Sequence, residues 1–419
     1  MHEKVSAAGF SVSEDVAACD VVIVNTCSFI QAATEESIEA ILDIAELDAV
    51  REGKTKLIVA GCMPARYGTE LEEELGEVCA FVPCDKEGDI VEIIGKALGI
   101  EASQGIQGVQ GAQGVLDKAA EKRARPDKPW AYVKLSEGCD RFCSYCTIPL
   151  IRGRYHSFPF EVIANEVARV VEHGAKEVVF IAQDSGRWGS DLPDKQSLAT
   201  LLEAFARRYC DIWFRVMYVQ PEGVTKELLD VMAAHDNICS YLDIPLQHVD
   251  ADLLQAMNRT GSYREFRDLL ALIRLRIPDI TVRTTLIAGF PNESEEAHQA
   301  LCDFVEEAAF DYVGVFPYSR EDNTKAASLP NQLDEDTKLA RAQKIRDIAD
   351  AVSVARVAQR IGKTYAVLVC GHEEDGQLYG RAQCQAPDVD GVVYLERGEV
   401  GEVLCVTIND TLLYEMEGA

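Results

Sequence analysis

The segment Glu137-Gly138-Cys139-Asp140-Arg141-Phe142-Cys143-Ser144-Tyr145-Cys146-Thr147-Ile148-Pro149 carries three cysteines in C-x3-C-x2-C spacing. Three thiolates on one short loop can each ligate one iron of a 4Fe–4S cube, because soft thiolate suits iron–sulfur chemistry. The fourth iron of such a cube is left open. An open iron can chelate the amino and carboxylate groups of S-adenosylmethionine (SAM) and pass an electron into its sulfonium. The competing chemistry is a zinc loop, but structural zinc wants four closed ligands, usually as two C-x2-C pairs. No fourth Cys or His lies close by, since His156 is ten residues past Cys146. Cys139, Cys143 and Cys146 are therefore the expected ligands of an iron–sulfur cluster.

Such a loop needs rigid elements to hold it. It follows Tyr132–Leu135, which reads as the first of six strands; the others are Glu177–Ala182, Trp213–Val219, Tyr241–Pro245, Thr281–Ile287 and Tyr312–Tyr318. Helical patterns separate them, among them Glu161–His173, Leu198–Tyr209 and Tyr263–Arg276. Six successive βα units predict a partial (β/α)6 barrel or a doubly wound sheet, and in barrels the chemistry sits at the C-terminal strand ends. Polar residues at those ends are candidate SAM contacts: Gln183 and Asp184 after the second strand, Arg215 in the third, Gln247 after the fourth, and Tyr145 in the cysteine loop itself.

The rest of the chain divides around this centre. Residues 1–98 read as a small α/β domain with a parallel sheet, with Val21–Val24 and Leu57–Ala60 as buried strands and a helix over Thr34–Ala49 between them. Residues 99–128 read as a linker: Gln-Gly repeats every third position from Gln104 to Gly114, a tract without proline. The barrel and a long trailing helix, Asp334 to Ile361, occupy 129–361. Residues 362–419 read as a small all-β barrel with strands Tyr365–Val369, Tyr379–Gln383, Val392–Leu395 and Val403–Ile408.

The 419 residues include 14 cysteines and a net charge of −29. Spaced cysteines in a reducing compartment are more often metal ligands than disulfides. The acidic balance opposes direct nucleic-acid binding and favours basic partners. No apolar run approaches the roughly 18–20 residues that span a bilayer, and Met1–Phe10 has no signal-peptide core. A cytosolic protein without membrane contact is expected.

Several motifs occur in fixed order: Asn25-Thr26-Cys27-Ser28-Phe29-Ile30, Ala60-Gly61-Cys62-Met63, the cysteine loop, Ile148-Pro149-Leu150-Ile151-Arg152-Gly153, Pro245-Leu246-Gln247-His248, Gly289-Phe290-Pro291 and Tyr318-Ser319-Arg320-Glu321. Together they resemble the RimO methylthiotransferases of the radical SAM superfamily. The resemblance covers nearly the whole chain and implies an N-terminal methylthiotransferase domain, a radical SAM barrel and a C-terminal TRAM domain.

It also implies two 4Fe–4S clusters and SAM as cofactors. The auxiliary cluster belongs to the N-terminal domain, where Cys27 and Cys62 match two of the family's three ligands. The third lies in a Gly-Cys-x-Lys-Asn segment after an initial strand. Met1 aligns after that segment, so the expectation is a domain missing its first strand and that ligand. The implied reaction replaces a hydrogen on the β-carbon of an aspartate with a methylthio group. One SAM donates a methyl group to sulfur associated with the auxiliary cluster; a second yields the 5′-deoxyadenosyl radical that removes the hydrogen. The implied substrate is a basic small-subunit ribosomal protein, number twelve, and a reductant protein must supply electrons.

The sister family MiaB modifies tRNA with the same domains. Pro245-Leu246-Gln247-His248 and Cys27-Ser28-Phe29-Ile30 match RimO rather than MiaB. From Lys363 to Ala419 there are three basic and eleven acidic residues, which suits a basic protein better than tRNA. Two further readings stay open: a non-catalytic cluster- or ribosomal-protein-binding relic, and a radical SAM enzyme that uses only the barrel cluster.

Overall fold

The computed structural model of the chain describes residues 1–13, 15–100 and 128–419. The expected linker, 99–128, lies outside the described residues except at its ends. The described residues form two compact units. One consists of the described parts of Met1–Lys122 with Gly138–Arg154 and Ser319–Ala327; the other of the described parts of Arg123–Glu137 with Tyr155–Tyr318 and Ser328–Ala419.

The first unit is built on three parallel strands, Val21–Thr26 (β1), Lys56–Gly61 (β2) and Val78–Pro83 (β3), with β2 in the middle. β2 is an uninterrupted apolar run because both of its faces are covered. Leu57 and Val59 pack with Ile41, Ala45 and Met63 on one face, whereas Ile58 and Ala60 pack with Val5, Val82, Ile90 and Ile94 on the other. The expected helix runs Gln31–Ala45, and a separate short turn, Asp48–Arg51, follows it. β3 and the helix Ile90–Ala97 were not expected from the sequence. A short apolar run bounded by turn residues does not by itself distinguish a strand from a piece of buried helix.

The second unit contains the six expected parallel strands: Trp130–Lys134 (β4), Glu177–Ile181 (β7), Trp213–Val216 (β8), Tyr241–Asp243 (β9), Thr281–Ala288 (β10) and Tyr312–Pro317 (β11). The short pair Ser136–Glu137 (β5) and His156–Ser157 (β6) lies between the first two. Strands pair in the orders β4-β7-β8 and β9-β10-β11, and the bridge between Phe214 and Ile238 links the two halves into one open barrel wall. Six of the helices start on a side-chain cap: Ser197, Thr225, Asp250, Ser262, Ser294 and Asp334 each accept from the backbone N–H three residues on. Each cap is worth about 1 kcal/mol and fixes where a strand-end loop gives way to helix.

The helix Glu335–Ala358 leads to a closed five-stranded barrel of Thr364–His372 (β12), Leu378–Ala382 (β13), Val393–Leu395 (β14), Val403–Leu412 (β15) and Glu415–Gly418 (β16), in the order β12-β13-β14-β16-β15. Four of these strands match the sequence reading. The fifth, β16, closes the barrel between β14 and β15. Glu-Met-Glu-Gly offers a single large apolar residue, Met416, so no alternation marked it in advance.

Candidate functional site

Thr26 of β1 is in register with Gly61 of β2, and Gly61 with Pro83 of β3. Cys27, Cys62 and Cys84 are the residues immediately after these three, so one cysteine stands at the C-terminal end of each strand. Gly61 has φ +103°, and a Cβ there would lie 2.5 Å from the Thr26 carbonyl oxygen; only glycine lets β2 turn so close to β1. The turn is pinned by Thr26 Oγ1, which donates to the Ala60 carbonyl (2.7 Å) and accepts from the Met63 N–H (3.3 Å). Ser37 holds the Cys27 backbone from its helix, accepting from its N–H (3.2 Å) and donating to its carbonyl (2.9 Å).

The sulfurs of Cys62 and Cys84 are 3.9 Å apart, and Arg152 Nη2 donates to the Cys62 sulfur at 3.6 Å. The hydrogen bond from Cys84 brings the Cys62 thiol down to about 6, against the opposing effect of burial and with help from Arg152. Cys84, the donor of that bond, is pushed up instead.

Arg152 comes from the C-x3-C-x2-C loop, which belongs to the same unit. Gly138 opens the loop at φ +73°, where a Cβ would lie 2.2 Å from the Arg154 carbonyl oxygen. The Cys139 N–H bonds the Gly153 carbonyl (3.2 Å) to close the neck. Inside it the Cys146 N–H bonds the Cys143 carbonyl (3.0 Å), and the Ile148 N–H reaches the Cys146 sulfur (3.4 Å). Buried Thr147 donates to the Phe29 carbonyl at 3.1 Å, so the loop is tied to the segment just after Cys27. The sequence brought Cys139, Cys143 and Cys146 together on one loop; the structure sets that loop and the Cys27–Cys62 edge in one compact body.

Glu321, from the expected Tyr-Ser-Arg-Glu motif, is buried in this unit. It pairs with Arg66 (2.8 Å), whose other arm donates to the Ser28 carbonyl (2.8 Å). Its second oxygen accepts from the Gln31 N–H (2.8 Å) and from Ser319 Oγ (2.5 Å). Sequence reasoning gave Glu321 and Arg66 no role. Glu321 lay within a matched motif, but its partner is 255 positions away in the chain.

Of the candidate SAM contacts, Tyr145 is half-buried in the cysteine loop, in the first unit. Gln183, Asp184 and Gln247 lie in the second unit, just past the C-terminal ends of β7 and β9. Among the described residues the Gln183 amide oxygen is buried without a hydrogen-bond partner, as is that of Gln220 beyond β8, a residue the sequence did not single out. Buried polar atoms left in this state suit a polar ligand that completes them. Gln247 takes φ +72° while its backbone bridges to β10.

Arg215, the remaining candidate, is engaged with other side chains and backbone. It is wholly buried, with Nε on Glu177 (2.7 Å) and Nη1 donating to the Gln383 carbonyl (2.9 Å), and Glu177 also pairs with Arg381 of β13 (2.6 Å). Burial alone would raise the Glu177 carboxyl, but Arg381 and Arg215 outweigh it and hold it below its ordinary value. Arg215 thus joins the barrel strands to the small β-barrel near the strands' N-terminal ends, a position associated with stability rather than chemistry.

Among the described residues no three Cys, His, Asp or Glu side chains close on a single metal ion. A cube distributes its thiolates over separate irons, so it asks for cysteines grouped along one edge or loop, and the donor sets present are of that kind.

Three family patterns match the chain: the radical SAM superfamily over residues 133–305, the uncharacterized protein family UPF0004 over 1–83, and the TRAM domain over 361–419. A ribosomal protein uS12 methylthiotransferase RimO from Clostridioides difficile (strain 630) is 40% identical over 414 residues, 98% of this chain and 92% of the relative. One of the same name from Trichlorobacter lovleyi is 39% identical over 412 residues, 97% of this chain and 91% of the relative. Among solved structures, the radical S-adenosylmethionine methyltransferase TsrM from Kitasatospora setae has a TM-score of 0.52 at 16% identity, covering 73% of this chain and 65% of that one; at that identity the likeness is one of fold. No described helix is long and apolar enough to cross a membrane.

Proposed function

Because the chain belongs to the RimO family of ribosomal protein uS12 methylthiotransferases, we propose that it places a methylthio group on the β-carbon of an aspartate in small-subunit ribosomal protein twelve. The observation that carries this reading is the union, in one compact unit, of the C-x3-C-x2-C loop with the Cys27–Cys62 sheet edge, spanned by Arg152. Two sets of thiolates side by side suit a reaction that needs both a radical and a sulfur source.

Cys139, Cys143 and Cys146 would hold one 4Fe–4S cluster, and Cys27 and Cys62 would contribute to a second. When bound, the clusters and SAM supply the reducing electron, the hydrogen abstraction and the sulfur chemistry. The chain's own residues position and enclose them. Thr147 and the Gly138 turn fix the loop, Ser37 and Gly61 fix the sheet edge, and Tyr145, Gln183, Asp184 and Gln247 are the proposed SAM contacts. Arg215 is left out of that set. A reductant protein would deliver the electrons. The acidic C-terminal barrel supports a basic protein substrate over tRNA.

The test is an anaerobic assay of the reconstituted chain with SAM, a reductant and either purified ribosomal protein twelve or tRNA. The expected result is one methylthio group in place of hydrogen on an aspartate of the protein, located by fragment mass spectrometry. Methylthiolation of tRNA alone would reassign the substrate. Cleavage of SAM to 5′-deoxyadenosine with neither product would leave a radical SAM enzyme of another reaction.

A further inference from the structure

We propose that Cys84 is a ligand of the auxiliary cluster, the third thiolate in a row formed by Cys27, Cys62 and Cys84. The proposal rests on the reading that the N-terminal domain holds a cluster, and it adds a ligand that neither the matched motifs nor the family resemblance supplies.

The row follows from the sheet. β1, β2 and β3 are consecutive neighbours, and their last paired residues, Thr26, Gly61 and Pro83, lie in one line across the sheet. Adjacent strands are about 4.8 Å apart, so the next residues, three cysteines, stand side by side just beyond the C-terminal edge. That edge is where parallel α/β sheets bind their ligands. The row is already partly drawn together, with the Cys62 and Cys84 sulfurs 3.9 Å apart and Arg152 on Cys62. A guanidinium at that place offsets the charge of neighbouring thiolates.

The bland alternative is that Cys84 is a small core residue, but it is only half-buried and its sulfur faces another sulfur. The domain's other cysteines show the contrast. Cys79 is exposed, five residues back along β3, roughly 16 Å by strand rise. Cys19 precedes β1, at the opposite end of the sheet. Only the three cysteines at the C-terminal edge share a line.

The experiment uses the full-length chain with Cys139, Cys143 and Cys146 changed to alanine, so that only the auxiliary site can load. Iron, sulfide and the EPR spectrum of the reduced protein are measured after anaerobic reconstitution, with and without Cys84→Ser, and with Cys79→Ser as the matched control. We expect about four irons in the triple variant and in its Cys79→Ser form, and loss of most of them on adding Cys84→Ser. Four irons with an unchanged spectrum in the Cys84→Ser form would overturn the proposal while leaving the two-cluster reading intact. No iron in the triple variant would remove the two-cluster reading, and Cys84 with it. A second readout needs no substitution: in the loaded wild-type chain, Cys84 should resist alkylation as Cys62 does while Cys79 labels, and iron chelation should expose both. Cys84 labelling as fast as Cys79 in the loaded chain would also overturn the assignment.

Discussion

A cysteine in the C-x3-C-x2-C loop declares its chemistry through its neighbours in sequence, whereas Arg215 does not. Along β8 all four residues, Trp213 to Val216, are buried, so no alternation tells which way the guanidinium points or toward which end of the barrel. Its ion-pair partner, Glu177, is 38 positions away, and Arg381, which shares that carboxylate, is 166 positions away. Glu177 is the keystone of the trio because it is the carboxylate shared by two buried arginines. Removing one member of a buried ionic group strands the others, at roughly 3–5 kcal/mol. Glu177→Ala is therefore expected to lower unfolding stability by about that much in urea, and a change below about 1 kcal/mol would contradict the arrangement.

Asp390, in the same interface, makes a pH-dependent case. Burial raises its carboxyl to about 6, against the Ala386 N–H, Arg283, the Tyr241 hydroxyl and Arg215, which all favour the charged form. An acid raised in the folded state contributes stability that is complete below its unfolded value and lost as pH rises through the folded one. Relative to Asp390→Asn, which cannot titrate, the parent should lose about 1 kcal/mol between about pH 5 and about pH 7. Parallel stability curves for the two proteins would refute it.

At the scale of elements, the sequence revealed the long, strongly periodic pieces and hid those defined by their neighbours. All six barrel strands and the helix Tyr263–Arg276 were legible. β3 was not, and with it the place of Cys84 was unreadable: nothing in Val-Pro-Cys-Asp says that the cysteine ends a strand paired in register with β2. The segment Ser319–Ala327 is another case, since it follows the last barrel strand in sequence yet belongs to the N-terminal unit. Glu321 makes that attachment through Arg66 and Gln31. Glu321→Ala should leave Arg66 buried and unpaired at roughly 3–5 kcal/mol, and hydrogen exchange should quicken first in the Cys27–Gln31 turn. Unaltered protection there would mean that the turn is held without Glu321, by Ser37 on Cys27, Thr34 on the Ser28 hydroxyl and Thr147 on the Phe29 carbonyl.

β16 gives the corresponding prediction for the small barrel. Met416 is fully buried among Val393, Val406 and Ile408, and truncating such a residue costs about 2–5 kcal/mol. Met416→Ala is expected to destabilise the chain by that order in urea. A loss under about 1 kcal/mol would mean that the closing strand contributes little.

The whole molecule is acidic, and its small β-barrel concentrates that charge in a form that bears on the substrate. Glu373, Asp375, Glu396 and Glu417 are exposed and line one groove with Tyr394 and Asn409. Their carboxylates come from the residue just after β14, from β16 and from the turn between β12 and β13, so the closure of the barrel gathers them. Like charges gathered at a surface weaken the folded state by repulsion but speed encounter with a partner of opposite sign, by about 10-fold or more at low salt. A basic ribosomal protein is such a partner, and tRNA is the reverse. Changing all four residues to lysine is expected to slow association with ribosomal protein twelve by at least about 10-fold at low ionic strength, to flatten the dependence of the on-rate on salt, and to leave iron content unchanged. Stopped-flow measurement across a salt series separates the outcomes. If the on-rate and its salt slope survive the charge reversal, this groove plays no part in meeting the substrate, and the acidic barrel serves only solubility.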